Sequence, residues 1–402
     1  MRYHHTYSRE INQSTDSKYK PTPDAVRSPG YPLAISLLIN SPPGKKLIKK
    51  IQLFQMLGST LTLILAFFFF RFYLPSFFGG IAALLVALSP HLIIFNSYIL
   101  SETLFCFTLV LIGFLICRYV RQPSVWFSIL LGSMMGIASL VRPSLQFFPL
   151  VMVIIVLIHY GRNTGLKLAF SILLGFILTI SPWYIRNIVT LGKISDKSLM
   201  INFLHHGMYP DFKYQQQLES YRRPYKFDPR SAEISTNVKS IFAEIKNRFR
   251  TEPGRHLIWF LLRKPAIFWS WDTVQGHGDI SVYYISKTPF FEKKIFHWTH
   301  KFMRVLHGPL VILSLLGSLL VWIVPQPTST RFNQNIIFVV RFVGALLLYY
   351  TILHMIGAPF PRYSVPLRPF QYGMALFFLY SFYKVVPNVC KIWTRIADKV
   401  VY

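Results

Sequence analysis

NSYILSETLFCFTLVLIGFLIC, residues 96–117, sets one carboxylate at the head of an apolar run. As a helix, Ile99 to Cys117 crosses most of the ~30 Å of bilayer hydrocarbon. Glu102 is the single Asp or Glu between Asp24 and Asp196. An ionisable group at membrane depth costs roughly 2.5–3.5 kcal/mol on insertion scales, so Glu102 reads as functional by default. A local reading competes: in a first helical turn Glu102 complements the helix dipole, with Ser101 as its N-cap.

The surrounding chain fits that setting. Of 402 residues, 52% are hydrophobic, 16% aromatic and only 14% charged, where a soluble protein carries about 25% charged residues. Apolar runs near spanning length recur, so the expected fold is an all-α multi-pass membrane protein. Expected spans lie at about 51–72, 76–95, 99–117, 124–141, 144–160, 166–184, 309–325, 336–356 and 369–387. They divide the chain into a first-loop segment 1–50 with an interfacial helix, a six-span region 51–184 and an external mixed loop domain 185–308. A three-span region 309–387 and a cytoplasmic tail 388–402 follow.

The net charge is +28. Membrane topology with anionic headgroups explains it, and so do anionic, phosphate-bearing lipid substrates. Nucleic-acid binding would need a soluble basic domain with a recognisable motif, and there is none. Cys106, Cys117 and Cys390 form no C-x-x-C and no even-numbered framework, so neither a disulfide scaffold nor a zinc site is indicated. His205-His206 and His297-x-x-His300 lack completing ligands and read as structural or surface groups.

Nine spans place the termini on opposite sides. Connections on the C-terminal side carry Arg71, Arg118, Arg121, Arg162 and Arg331, so the positive-inside rule puts the C-terminus in the cytoplasm and 185–308 outside. Residues 1–50 then fall outside although they hold nine Lys or Arg and no signal-peptide pattern. The expectation is a further spanning helix ahead of Met1.

On this topology Glu102, Arg142-Pro143, Pro182-Trp183-Tyr184-Ile185-Arg186-Asn187 and Pro361-Arg362-Tyr363 all reach the external helix ends. Charges gathered at one interface point to a site there. Taken singly, Arg142 and Arg186 could snorkel to headgroups, and Trp183 and Tyr184 could form an aromatic belt. Arg27-Ser28-Pro29-Gly30-Tyr31-Pro32 makes a bend before a short interfacial helix, holding Arg27 where a guanidinium can grip a phosphate. The helix-like run 256–271 reads as amphipathic and interfacial, with Asp272 directly after it.

In order, these motifs resemble the C-type (GT-C) integral-membrane glycosyltransferases, in the branch of protein O-mannosyltransferases and lipid A aminoarabinose transferases. The resemblance runs over residues 25–385. It rests on Arg27 with Pro29 to Pro32, Leu88-Ser89-Pro90, Ser101 to Phe105, Gly136 to Leu140 with Arg142-Pro143, Pro182 to Asn187, and Arg362-Tyr363. It implies a GT-C-like helix bundle that moves a sugar from a polyprenyl-phosphate donor to a lipid, glycan or protein acceptor. The setting it implies is the outer face of a bacterial inner membrane. Arg27, Arg142, Arg186 and Arg362 would meet the phosphate, with Tyr31, Glu102, Trp183 and Tyr363 shaping the site.

A carboxylate would deprotonate the acceptor. Family members carry that Asp soon after a first spanning helix, which this chain lacks. Asp16, Asp24 and Glu102 are the remaining candidates, Glu102 more as an orienting group, and Glu10 is no better placed. A divalent metal could bridge the phosphate, but no ligand cluster argues for one. A non-catalytic polyprenyl-phosphate-binding relative and a transporter or flippase stay open as alternatives.

Overall fold

The computed structural model describes residues 24–39, 44–274, 279–283, 285, 287–323 and 331–383. Among them there is no strand. Five helices are long and apolar enough to cross a membrane, compatible with an all-α multi-pass membrane protein. Helices dominate because a spanning backbone must satisfy its own N–H and C=O groups.

α1 (Gly30–Ser36) precedes α2 (Lys45–Tyr73), α3 (Ser76–Leu88), α4 (Pro90–Phe95), α5 (Glu102–Tyr119) and α6 (Val125–Val141). Ser124 caps α6 through its side chain, accepting from the Phe127 N–H. α7 runs from Phe148 to Leu191, but Gly161 interrupts it at φ 71°, ψ −177°. That conformation suits glycine, and Gly165 packs back on the Leu157 backbone. The run is therefore two antiparallel arms, and Gly192 at φ 64° ends the second.

Two expected spans are redrawn. The stretch 76–95 is broken at Ser89-Pro90 into α3 and α4, because proline has no N–H to continue the ladder. The last expected arm, 166–184, passes through Pro182 and stays helical to Leu191.

Within 185–308 the described residues form a mostly helical layer. α8 (Ser198–Gly207) and α9 (Val238–Thr251) lead to α10, which is Pro253–Ile258, a π-helical turn Trp259–Arg263, and Lys264–Phe268. Lys294 already begins α11 (Lys294–Ile323), about 45 Å long at 1.5 Å per residue. α12 (Arg331–Ile356), a 3₁₀ stretch Pro361–Leu367 and α13 (368–383) complete the described chain.

α5 and α12 are the inner helices. In each, 61% of the most apolar window is buried, against 28–33% for the other three candidates. Glu102 thus faces the bundle interior rather than lipid. The helical layer clamps onto the same end of the bundle. Trp269 Nε1 donates to Thr351 Oγ1 (2.9 Å) and Lys264 Nζ to the Met355 carbonyl (2.8 Å) of α12, while Trp259 Nε1 donates to the Gly207 carbonyl (2.9 Å) within the layer. Lys264 sits at the C-terminal end of α12, where a cation offsets the helix dipole.

Candidate functional site

The site is built on the loop that feeds α5. Gln55, 1% exposed in the apolar run of α2, donates its amide to the Asn96 carbonyl (3.0 Å) and the Tyr98 carbonyl (2.7 Å). Its Oε1 accepts from the Tyr31 hydroxyl at 2.9 Å. One amide therefore ties α1, α2 and the 96–101 loop together. Sequence reading passed over Gln55, although a lone amide in a spanning helix is itself a signal. Gln55→Leu is expected to destabilise by about 1–3 kcal/mol, since two carbonyls and a hydroxyl lose their partner. Thermal unfolding in detergent would check this, and an unchanged midpoint would refute the staple.

Glu102 opens α5 at 2% exposure, and two guanidiniums converge on it. Arg142, from the end of α6, lies 3.4 Å away, and Arg362, from the 3₁₀ stretch, 3.5 Å away. Both cations stack on Tyr363, at 4.6 and 5.2 Å from the ring centre. Ser101 makes no side-chain cap bond, while Glu102 does sit in the first turn of α5 and meets two cations from other elements besides. Glu102 Oε1 and Arg142 Nη1 are nonetheless buried without a hydrogen-bond partner among the described residues. The charges are drawn together but not saturated. Burial works against the Arg362 charge, yet Glu102 and the surrounding tyrosines outweigh it and raise its pKa. The Tyr31 hydroxyl is pushed well above 10, by burial first and then by Glu102.

α1 reaches this cluster because Gly30 lies against the Leu140–Val141 backbone. A Cβ there would stand 2.6 Å from the Leu140 carbonyl carbon. The Pro29-Gly30 step thus serves close approach as well as bending.

Other expected members lie apart. Arg186 donates to the Asp24 carbonyl (2.8 Å) and to Asn187 Oδ1 (3.0 Å), and stacks on Trp183 at 5.0 Å. It and Trp183 form a second group at α1's approach, held by the chain before α1 instead of meeting Glu102. Arg27 is exposed and has no ion pair or hydrogen bond among the described residues. Asp24 is also exposed, and its carboxylate accepts from the Val26 N–H at 3.0 Å, within its own bend. Asp16 and Glu10 lie outside the described residues, as does Cys390.

Two openings flank the cluster. A cleft of about 210 Å³ runs between α2, α4 and α5, with Leu63, Ile93 and Cys106 along it and Glu102 and Thr103 at one end. A second cavity, about 320 Å³, is walled by Phe212, Phe360 and Tyr363, with Arg222, Arg362 and His206 at its edge. The Arg362 backbone N–H donates to the Thr273 carbonyl (3.1 Å), so the chain after Trp271 forms one wall. Asp272 turns away, its Oδ1 accepting from the Asp279 N–H (2.8 Å).

Burial, with His205 beside it, pushes His206 down to about 4. An unfolded histidine titrates near ~6.5, so the unfolded chain binds the extra proton between those values. His206 therefore contributes stability above pH ~6.5 that is lost as pH falls toward about 4. His206→Gln is expected to flatten this part of a melting-temperature profile. An unaltered slope would assign it to His205 and His256, which burial also lowers.

Among the described residues no group of three or more His, Cys, Asp or Glu is placed to hold a metal ion. His300 instead pairs with Asp279 Oδ1 at 2.6 Å. Burial would raise Asp279, but the bonds from His300 and Trp271 prevail and lower it. No protein-family model, curated protein or solved structure matches this chain.

Proposed function

We propose that this chain is a membrane-embedded transferase of the GT-C type, taking a sugar from a polyprenyl-phosphate donor at the outer face of a bacterial inner membrane. The observation that carries the reading is Arg142 and Arg362 converging on Glu102 between an apolar cleft and a cationic, aromatic-walled cavity. The cleft suits an isoprenoid tail. The guanidiniums suit a phosphate leaving group, which charge-assisted hydrogen bonds stabilise as it departs. The second cavity suits the sugar and its acceptor. Arg142 and Arg362 are the phosphate residues, while Glu102 fixes their orientation.

A second reading, donor binding without transfer, is favoured by one observation. Glu102 is engaged by two cations, and the Asp24 carboxylate is engaged in its own bend. Neither is poised to take an acceptor proton.

The test is binding of a radiolabelled polyprenyl-phosphate sugar to the full chain in nanodiscs, followed by transfer to membrane acceptors. Arg142→Gln and Arg362→Gln are each expected to weaken donor binding at least roughly tenfold, the loss of one charge-assisted pair. Arg27→Ala and Arg186→Ala are expected to matter less. Unchanged binding in both Gln variants would defeat the phosphate assignment. Binding without any transfer would select the second reading.

A further inference from the structure

A third cavity, about 430 Å³, lies within the helical layer and shares no lining residue with the two openings at Glu102. Lys213, Arg255 and Arg263 line it, against a single carboxylate, Asp211. Asp211 engages Arg263, and Arg255 pairs at 2.8 Å with Glu252, which lies outside the lining. Lys213 has no carboxylate partner among the described residues, and its Nζ lies 5.8 Å from the Tyr221 ring centre. The cavity is therefore cationic. Its wall also holds Asp211 and Gln216 at φ 54° and 62°. Left-handed backbone is costly for such residues and persists where the surrounding structure imposes it, often at ligand sites.

One side of this cavity opens onto apolar surface. In α10, His256, Trp259 and Lys264 are buried, whereas Leu257, Ile258, Leu261 and Leu262 are 48–66% exposed. Ile258 belongs both to that stripe and to the cavity lining. The height of the stripe follows from α12. Lys264 Nζ bonds the Met355 and Ile356 carbonyls at 2.8 and 3.3 Å, which ties α10 to the end of α12. From Gln334 to Ile356 that helix offers 23 apolar-rich residues, about 35 Å of rise, or one hydrocarbon thickness. Its end thus marks the border between hydrocarbon and headgroups, and Ile352 and Ile356 are exposed there. A bare apolar stripe beside three cations at that border is the pattern of a lipid-binding surface.

We propose that this cavity holds the phosphate of an anionic phospholipid whose acyl chains lie along Leu257, Leu261 and Leu262. Guanidiniums suit a phosphodiester because they meet its oxygens with paired N–H groups. A free phosphate would use the cations but leave the stripe in water. A zwitterionic lipid would cover the stripe but bring one more positive group to the three already present. The bound lipid fixes the helical layer at headgroup depth over the bundle. The site is independent of the transferase reading.

The test releases the full chain from detergent micelles doped with phosphatidylglycerol or phosphatidylcholine and counts the retained lipids by native mass spectrometry. The unaltered chain is expected to retain phosphatidylglycerol saturably and in preference to phosphatidylcholine. Lys213→Ala and Arg255→Ala should each raise the half-saturating phosphatidylglycerol for one retained lipid roughly fivefold, the worth of one basic residue at an anionic surface. Leu261→Ser, at an exposed position, should weaken the same lipid several-fold through lost apolar contact. Arg230→Ala removes an exposed cation outside this cavity and should change nothing. Retention of phosphatidylglycerol no better than phosphatidylcholine would overturn the proposal, and so would unchanged retention in both Lys213→Ala and Arg255→Ala. Equal weakening by Arg230→Ala would overturn it as well, by assigning the effect to diffuse charge. Displacement of the lipid by inorganic phosphate, with indifference to Leu261→Ser, would replace the lipid by a free phosphate.

Discussion

Glu102→Ala is expected to destabilise the protein by about 3 kcal/mol. Removing one partner of a buried ion pair costs roughly 3–5 kcal/mol, because the other charge stays behind in low dielectric. The lower end applies here, since Arg362 is 31% exposed and water screens part of its charge. Arg142, at 12%, carries the larger share. The informative experiment is a double-mutant cycle on unfolding in detergent. Arg142→Ala in the Glu102→Ala background should cost much less than Arg142→Ala alone, with coupling of at least about 1 kcal/mol. Strict additivity would mean that the two side chains do not sense each other. Glu102 would then be a dipole-complementing residue after all.

The second large effect lies in packing. Gly132 on α6 and Gly175 on the second arm of α7 let the two helices meet backbone to backbone. A Cβ at Gly132 would fall on the Ile172 carbonyl oxygen, and one at Gly175 on the Ile129 carbonyl oxygen. In lipid there is little hydrophobic drive between helices, so close approach through small residues is what holds such a pair. Neither obstacle is a side chain that can rotate away. Gly132→Ala and Gly175→Ala are therefore each expected to cost about 3 kcal/mol, the upper part of the usual overpacking range. Gly58→Ala on α2 meets nothing within 4 Å and should be neutral or slightly stabilising through helix propensity. Equal behaviour of Gly58→Ala and Gly132→Ala in thermal unfolding would refute the contact.

These two results bear on the site together. Arg142 ends α6, so the α6–α7 contact sets where its guanidinium arrives, and Tyr363 receives its face. A variant that spreads α6 from α7 should also loosen donor binding if the transferase reading holds.

How much of this was legible in the chain differs from residue to residue. The helical membrane class followed from apolar runs, because a buried backbone must bond within its own segment and the period of that bonding is local. Glu102 stood out because a carboxylate is rare in such surroundings, and Arg142 and Arg362 because the topology put them at the same end. Their meeting at 3.4 and 3.5 Å was not legible. Nor was the parting of Arg186 and Arg27, which carry the same charge and which the expected topology put on one side.

The sequence by itself determined the helices, the membrane-compatible class and the few charged residues worth suspecting, since each depends on neighbours within a turn or two or on the cost of burying a charge. Only the tertiary structure decided the reversal at Gly161, the helical layer built from 185–308, the Gln55 staple, and which arginines reach Glu102. The reason is physical. Those outcomes depend on how helices far apart in sequence approach one another, and approach is set by glycine-sized gaps and single side-chain contacts that leave no local period to read.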